Sequence, residues 1–173
     1  LNVDEYADIL KVCFDTKDPL YTSGPPGIGK SEVPIQVYTD IAKKQGKEFI
    51  RWDKTTKAQK VVLFKNPEKY FVFCDQRLSQ MDTTDLRGIP KLEGNILEPL
   101  PPSWVVYFSN PEAEGVIFFD EVNLALPIVQ GSAYQIINDR SISDRKISDK
   151  VHIIAAGNRA EDKAYTFEMP LPL

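Results

Sequence analysis

Residues 24–31 combine glycines, a lysine and a serine at a spacing that suits phosphate binding. The segment reads Gly-Pro-Pro-Gly-Ile-Gly-Lys-Ser and matches the pattern G-x-x-x-x-G-K-[ST] at every fixed position. Glycines let the backbone turn tightly and point several N–H groups inward, where they bind an anion together with the positive end of a following helix. Lys30 would supply a mobile charge for the β- and γ-phosphates, and the Ser31 hydroxyl would hold Mg²⁺. The alternative is a turn rich in Gly and Pro that matches the pattern by chance.

A pair of carboxylates follows an apolar run in the second half of the chain. Residues 116–119 are all apolar, and Asp120 and Glu121 come directly after them. A carboxylate at a strand end beside a phosphate loop can hold Mg²⁺ through its water ligands, and we assign that role to Asp120. Glu121, one residue further, is a candidate to orient and deprotonate an attacking water molecule. The alternative is an acidic strand end that is simply solvated.

An asparagine ends a third, mainly apolar run. Residues 151–156 form that run, and Gly157 and Asn158 follow it. A neutral amide at a strand end can hydrogen-bond a γ-phosphate or position a water molecule without adding repulsive charge. The alternative is that the Gly-Asn pair only turns the chain at the end of a strand. His152, the single histidine, lies inside the run and is predicted to pack in the strand rather than to act as a base or a ligand.

These candidate residues lie at the ends of segments that alternate between strand and helix patterns. The predicted strands cover residues 19–23, 70–75, 116–121 and 151–158, and the predicted helices cover residues 3–14, 29–44 and 127–138. Such alternation implies right-handed βαβ units, so the predicted fold is α/β, with a central parallel sheet flanked by helices in three layers. Ligands bind at the carboxyl ends of such strands, which is where Asp75, Asp120, Glu121 and Asn158 occur. Residues 48–69 break the alternation and are interpreted as an insertion with partial helix.

Length, composition and charge are those of a single globular domain. The chain has 173 residues, 42% of them hydrophobic, which is enough for a sizeable core. Its net charge of −4 provides no overall attraction to nucleic acid or to an anionic membrane. Two cysteines form no disulfide framework and no apolar run reaches the ~18–20 residues of a membrane span, so a cytoplasmic location without a membrane partner is expected. The chain begins with Leu1 and ends in Pro-Leu-Pro-Leu, so we expect a fragment of a longer protein.

Together, the loop at residues 24–31, the sequence Phe118-Phe119-Asp120-Glu121 and Asn158 resemble the Walker A loop, the Walker B motif and sensor 1 of AAA+ ATPases. The resemblance covers nearly the whole chain. It implies a P-loop NTPase core over residues 1–173, namely the large subdomain of an AAA+ module without its helical lid. It also implies ATP and Mg²⁺ as ligands, Lys30, Glu121 and Asn158 as catalytic residues, and Ser31 and Asp120 as metal ligands. The residues implied to contact ATP are Gly24, Pro25, Pro26, Gly27, Ile28, Gly29, Lys30, Ser31 and Glu32.

Finer features are similar to the MoxR-type branch of this family. Residues 120–123 read Asp-Glu-Val-Asn and are similar to the Asp-Glu-(Ile/Val)-Asn of that branch. Its second helix carries a β-hairpin insert, for which residues 88–99, with Glu-Gly-Asn at the tip, are the candidate. Residues 139–147 resemble the short hairpin before its fourth strand. The resemblance implies a ring-forming, hexameric remodelling or chaperone motor that moves the insert against a protein client.

The chain also departs from the family pattern. An arginine finger after sensor 1 and a lid with a second sensor arginine are typical of these ATPases, and the chain stops at Leu173 before either is expected. The chain alone is therefore expected to be only weakly active, since an arginine finger contributes several orders of magnitude in rate. Arg140 and Arg145 are candidates to face a neighbouring subunit.

Three other functions fit part of the same pattern. A DNA-directed AAA+ motor, such as a helicase loader or a branch-migration motor, would share the core. However, residues 88–99 contain only one basic residue, Lys91, so nucleic acid is an alternative partner that the sequence does not indicate. A hydrolysis-deficient nucleotide-binding module is a second alternative. A small-molecule kinase fits less well, because the Asp-Glu pair with an asparagine suits water activation better than transfer to a hydroxyl group.

Overall fold

Strands and helices alternate along the chain, as the hydrophobic pattern predicts. The computed structural model describes residues 2–25 and 27–158. The helices are α1 (Val3–Thr16), α2 (Glu32–Lys44), α3 (Lys57–Lys65), α4 (Thr83–Arg87), α5 (Ser103–Phe108) and α6 (Pro127–Asp139). The strands are β1 (Leu20–Ser23), β2 (Glu48–Arg51), β3 (Tyr70–Arg77), β4 (Ile89–Glu93), β5 (Ile96–Leu100), β6 (Glu114–Asp120), β7 (Ser141–Ile142), β8 (Arg145–Lys146) and β9 (Val151–Gly157).

Five of the strands form one sheet in the order β1-β9-β6-β3-β2, and every neighbouring pair is parallel. The central strands β3, β6 and β9 are buried along most of their length, which explains why their sequences are nearly continuous apolar runs. Because the strands are parallel, their carboxyl ends share one edge, which we call the carboxyl edge. The predicted α/β fold with a central parallel sheet flanked by helices is confirmed.

Helices cover both faces of the sheet because successive residues of each central strand point to opposite sides. In β6, Val116 and Phe118 belong to one apolar cluster, whereas Ile117 and Phe119 belong to the other. The first cluster is completed by residues of α1 and α2. The second is completed by residues of α3, α4, α5 and α6. The sheet is therefore the middle of three layers, and α2 lies on the same side as Val116 and Phe118.

The helix after the candidate phosphate loop begins later than the sequence predicts. α2 starts at Glu32 rather than at residue 29, so Pro34 lies in its first turn. Proline is tolerated at this point because the first N–H groups of a helix have no acceptor within the helix. Lys43 and Lys44 occupy the last turn, where their charges are favoured by the negative end of the helix dipole.

Residues 48–69, interpreted above as an insertion with partial helix, add a strand and a helix to the side of the sheet. Residues 48–51 form β2, which pairs in parallel with β3, and α3 lies between the two strands in sequence. The sequence predicts helix here but no strand. The reason is that β2 has four residues and a polar residue at each end, which leaves almost no periodic signal.

An antiparallel hairpin lies between α4 and α5 in the chain. β4 pairs with β5 around a turn at residues 94–95, and every residue of both strands is exposed. We call residues 89–100 the exposed hairpin. Its base requires glycine at position 88, because φ there is +91° and a Cβ would lie 2.2 Å from the carbonyl oxygen of Leu100. β7 and β8 form a second, much shorter hairpin.

None of the helices in the described part of the chain combines the length and the apolar character needed to cross a bilayer.

Candidate functional site

The candidate phosphate loop connects β1 to α2 at the carboxyl edge. Gly27 and Gly29 have φ of +80° and +87°, a left-handed conformation that side-chain-bearing residues adopt at a cost. The N–H of Gly24 donates to the carbonyl oxygen of Gly157 at 3.3 Å, which ties the start of the loop to the end of β9. Pro26, one of the predicted contact residues, lies outside the described residues. The loop therefore has the strand-to-helix context that the motif requires.

The Lys30 side chain turns back into its own loop. Its Nζ donates to the carbonyl oxygens of Gly24 and Pro25 at 2.6 Å and 2.7 Å, and to Asn158 Oδ1 at 3.1 Å. The residue is only 8% exposed. A buried ammonium beside neutral oxygens attracts anions strongly, since the protein screens charge less than water does. The structure thus brings Lys30 together with Asn158, which is 128 positions away in the sequence.

Ser31 and Asp120 meet across the gap between α2 and β6. The Ser31 hydroxyl donates to Asp120 Oδ2 at 2.7 Å, and it makes no capping bond to the start of α2. Asp120 Oδ1 accepts from the backbone N–H of Glu121 at 2.8 Å, and the aspartate is 6% exposed. A serine at the start of a helix usually caps it. Here the hydroxyl is directed to the carboxylate instead, so the two predicted metal ligands are adjacent.

Glu121 leaves the direction of β6 because its backbone is left-handed. Its φ and ψ are 56° and 37°, an uncommon conformation for a glutamate. The side chain accepts a hydrogen bond from the Ser79 hydroxyl, which belongs to the turn that follows β3. Residues 120 and 121 therefore present their carboxylates to different neighbours. The sequence predicts no role for Ser79, because its partner lies 42 positions further along the chain.

Asn158 is held at the end of β9 by Asn123. Its backbone N–H donates to Asn123 Oδ1 at 2.9 Å, and its carbonyl oxygen accepts from Asn123 Nδ2. Asn123 is 6% exposed and lies two residues after Glu121. In the sequence, Asn123 stands out only as the last residue of the Asp-Glu-Val-Asn segment. The signal that could have found it is a polar residue, predicted to be buried, two positions after the carboxylate pair.

Burial and the charge of Asp120 both act on the titratable groups near the site. Burial raises the pKa of the Asp75 carboxyl, and the nearby charge of Asp120 raises it further, while Arg77 and Arg51 oppose the shift. Burial likewise raises the pKa of Tyr6, with a hydrogen bond to Thr22 acting against the shift and Asp120 adding to it. The sequence places Asp75 at a strand end, but β3 continues to Arg77, so Asp75 lies inside the strand, and its carboxylate is 3.8 Å from the Arg51 guanidinium. Asp75 is therefore a neighbour of the site rather than part of the Ser31–Asp120 pair.

The donor atoms at Ser31 and Asp120 suit Mg²⁺. The described residues contain no group of three or more His, Cys, Asp or Glu side chains that could hold a metal ion by themselves. Mg²⁺ prefers oxygen ligands, keeps several of its waters and commonly takes only one or two protein ligands together with phosphate oxygens. A hydroxyl and a carboxylate 2.7 Å apart meet that requirement, whereas they would not suit a metal that needs a closed protein cage.

Arg140, a candidate to face a neighbouring subunit, has partners within the chain near the start of β9. The Arg140 guanidinium donates to the carbonyl oxygens of Ser148 and Val151 at 3.1 Å and 2.7 Å, so it is engaged within the chain. Arg145 lies in β8 and is half-buried. His152 is fully buried and packs in β9, as predicted.

Comparison with known proteins gives likeness to solved structures only. No protein-family model matches the chain, and no curated protein matches it. NtrX from Brucella abortus is similar over 90% of this chain and 29% of its own, with 16% identity and a TM-score of 0.44. PCH-2 from C. elegans is similar over 94% of this chain and 38% of its own, with 14% identity and a TM-score of 0.44. The chain thus spans about a third of the length of these proteins, and its function is inferred from its own site.

Proposed function

We propose that the chain is an ATP-binding and ATP-hydrolysing module of the AAA+ type. The observation that carries the proposal is the meeting of Lys30, the Ser31–Asp120 pair, Glu121 and Asn158 at one edge of the sheet. Lys30 and Asn158 are 128 positions apart, and Ser31 and Asp120 are 89 apart. If a Gly- and Pro-rich turn matched the motif only by chance, it would not be expected to lie beside these distant polar residues.

The contacts of Lys30 support phosphate binding by residues 24–32. Its ammonium donates to two backbone carbonyl oxygens of its own loop. Charged phosphate oxygens are stronger acceptors than neutral carbonyls, so a bound triphosphate would compete well for the same donor. The left-handed glycines keep side chains away from the concave side of the loop, where backbone N–H groups would meet the phosphates.

Ser31 and Asp120 are the residues proposed to hold Mg²⁺. When bound there, Mg²⁺ would neutralise the negative charge that spreads over the phosphate oxygens during phosphoryl transfer. The part played by the protein is to keep a hydroxyl and a buried carboxylate side by side at the loop. The backbone N–H of Glu121 fixes the other Asp120 oxygen, so the carboxylate has little freedom to rotate.

Glu121 is the proposed general base. In the reaction a water oxygen bonds to the γ-phosphorus of ATP, the bond from that phosphorus to the β–γ bridging oxygen breaks, and ADP and phosphate form. Glu121 accepts the proton that the water loses, and the Ser79 hydroxyl orients its carboxylate. Asn158 would donate its neutral amide to the γ-phosphate or to the attacking water.

The finer proposal is a MoxR-like remodelling motor that works as a hexameric ring on a protein client. The exposed hairpin supports a protein client. Its two strands present five large apolar side chains that are 58–68% exposed, namely Ile89, Leu92, Ile96, Leu97 and Leu100. Its charged residues are one lysine and two glutamates, which disfavours a nucleic-acid partner. Neighbouring subunits of the ring would supply the arginine finger, whose charge stabilises the transition state of hydrolysis.

Hydrolysis of ATP by the purified chain is the direct test. Single-turnover conditions, with protein in excess over ATP and with Mg²⁺, detect slow hydrolysis. Substitution of Glu121→Gln should lower the rate by roughly 100-fold or more, because a general base contributes about that much. The affinity for ATP, measured by calorimetry, should stay within about threefold, since Glu121 contacts the water rather than the phosphate loop.

The matched control is Glu112→Gln, the same chemical change just before β6 at the other end of the strand. It should leave both rate and affinity unchanged. Equal rates for the Glu121→Gln variant and the unchanged chain would overturn the mechanism. ATP binding without any hydrolysis would favour the hydrolysis-deficient module instead, and salt-sensitive DNA binding would favour the DNA-directed motor.

A further inference from the structure

Asn123 is a buried polar residue that the proposed hydrolysis does not use directly. It lies in the short turn after Glu121 and is 6% exposed. Its side-chain amide makes both of its contacts to the backbone of a single residue, Asn158. A buried amide costs free energy unless its donor and its acceptor are both satisfied, and here each of them has a partner.

The two contacts resemble those of a hydrogen-bonded residue pair between two β-strands, with the Asn123 side chain in place of one backbone. Asn123 Oδ1 accepts from the Asn158 N–H at 2.9 Å, and Asn123 Nδ2 donates to the Asn158 carbonyl oxygen. A carboxamide offers both an acceptor and a donor on one planar group. An aspartate could accept but not donate, and an alanine could do neither. The backbone of Asn158 is therefore held at two points immediately after β9 ends.

Gly157 leaves the space that this contact occupies. A Cβ at position 157 would lie 2.9 Å from Asn123 Oδ1 and 2.4 Å from the Tyr21 hydroxyl oxygen. Both distances are shorter than real Cβ contacts, so a side chain at 157 would displace both groups. The glycine, the amide and the backbone of Asn158 thus form one packed unit at the carboxyl edge.

We infer that Asn123 is a positioning residue, which places the Asn158 carboxamide between Lys30 and the turn that carries Glu121. Asn158 Oδ1 lies 3.1 Å from Lys30 Nζ, so a shift of the Asn158 backbone would move its amide relative to the phosphate loop. Because Asn123 is two residues after Glu121, the same clamp sets the distance between the proposed base and the proposed amide donor. This inference rests on the proposed ATP hydrolysis.

The first test compares Asn123→Ala and Asn123→Asp with a control, Asn110→Ala, whose side chain accepts from the Glu112 N–H in a remote turn. Both Asn123 variants should lower the hydrolysis rate by about 10- to 100-fold, the size expected for a misplacement of about 1 Å. The apparent affinity for ATP should stay within about threefold, because Asn123 does not contact residues 24–32 in the described hydrogen bonds. The control should match the unchanged chain.

The second test uses Gly157→Ala to push the amide without altering its chemistry. It is made in a Tyr21→Phe background, which removes the other clash, and Tyr21→Phe alone is the control. Gly157→Ala should then lower the rate to a similar degree. In an Asn123→Ala background it should cost little more, because no amide remains to be displaced. Full additivity of the two losses would overturn the inference.

A readout without turnover separates this inference from the proposed function. Hydrogen exchange of the Asn158 backbone amide should be slow in the unchanged chain and at least about tenfold faster in Asn123→Ala. Equal exchange in both proteins, or a hydrolysis rate of Asn123→Ala equal to that of the unchanged chain, would overturn the positioning role. If the unchanged chain hydrolyses no ATP, the proposed function fails, and the role of Asn123 in turnover fails with it. The exchange result still decides whether the clamp exists.

Discussion

The two ends of the central sheet bury polar groups in different ways. At the carboxyl edge, the partners of Lys30 include backbone carbonyls of a loop shaped by two left-handed glycines. At the opposite end, which we call the amino edge, His152 is fully buried and contacts the Tyr38 hydroxyl and the Asp18 carbonyl oxygen, each at 2.7 Å. The groups at the carboxyl edge can exchange loop oxygens for those of a ligand. At the amino edge, Tyr38 lies in α2 and His152 in β9, and these elements hold the two side chains in place.

The hydrogen bonds of the amino edge determine the protonation of His152. A carbonyl oxygen can only accept, so Nε2 carries the proton that is donated to Asp18, and Nδ1 accepts from the Tyr38 hydroxyl. Burial lowers the pKa of His152 to about 4, although the Asp18 carbonyl opposes the shift. The histidine is therefore neutral and structural. Burial of polar groups alone does not mark a functional site, because this end has it too.

We expect substitutions at the two ends of the sheet to change different properties of the protein. Substitutions at the carboxyl edge should change nucleotide binding and turnover more than stability. Substitutions at the amino edge should change stability and leave the ATP chemistry of the folded protein intact.

The largest effect is expected for Lys30→Met at the carboxyl edge. The change keeps the aliphatic stem but removes the charge that would meet the β- and γ-phosphates, so turnover should fall by roughly 100- to 1000-fold. Turnover and the melting temperature should be measured together. Lys43→Met, an exposed change near the end of α2, the helix that follows the loop, is the control. Normal turnover together with a lowered melting temperature in Lys30→Met would show that Lys30 serves stability rather than nucleotide chemistry.

Acid should weaken the amino edge through His152. Its pKa falls from 6.5 to about 4 on folding, so the unfolded chain binds the proton more tightly. The contribution of neutral His152 to the free energy of unfolding is therefore complete above pH 6.5. It is lost as the pH falls towards 4, which lowers the free energy of unfolding by about 3 kcal/mol. Urea unfolding of the unchanged chain and of His152→Gln between pH 4 and 7.5 measures it. In the variant, the free energy of unfolding should fall less steeply as the pH decreases. Parallel plots of this free energy against pH for the two proteins would contradict the prediction.

A smaller effect is expected for Asp120→Asn. The amide can still accept from Ser31 but carries no charge, so the Mg²⁺ concentration for half-maximal turnover should rise by about tenfold or more. A magnesium titration of the hydrolysis rate checks this. Asp139→Asn, an exposed change at the end of α6, should leave the titration unchanged. An unaltered magnesium dependence in Asp120→Asn would remove the metal from this pair.

The smallest effect is expected for Lys47→Met at the amino edge. Lys47 pairs with Glu114 at the start of β6, and the two side chains are 19% and 12% exposed. Gln45 also donates to this carboxylate, so the loss should be only about 1 kcal/mol in the free energy of unfolding. Urea unfolding at low and high salt measures it. The hydrolysis rate should not change, and a change there would couple the two ends of the sheet.

Most of the fold and the contiguous parts of the site could be predicted from the sequence. The central strands are continuous apolar runs because both of their faces are buried, and the loop is recognised because its function depends on neighbouring residues. β2 could not be predicted, since it is the outermost strand of the sheet and has only four residues. α2 starts at Glu32 rather than at residue 29 because the backbone of Gly29 is left-handed, with φ of +87°, which a right-handed helix cannot contain.

The sequence by itself determined that a phosphate-type loop, two carboxylates and an asparagine stand at the ends of buried segments, because such motifs depend on local spacing. Only the tertiary structure decided which of them touch. The strand order β1-β9-β6-β3-β2 brings the end of β9 between the loop and the end of β6. That order lets Asn123 hold Asn158 across 35 positions and Ser79 hold Glu121 across 42. Contacts between residues so far apart follow from how strands pack beside one another, which no local pattern records.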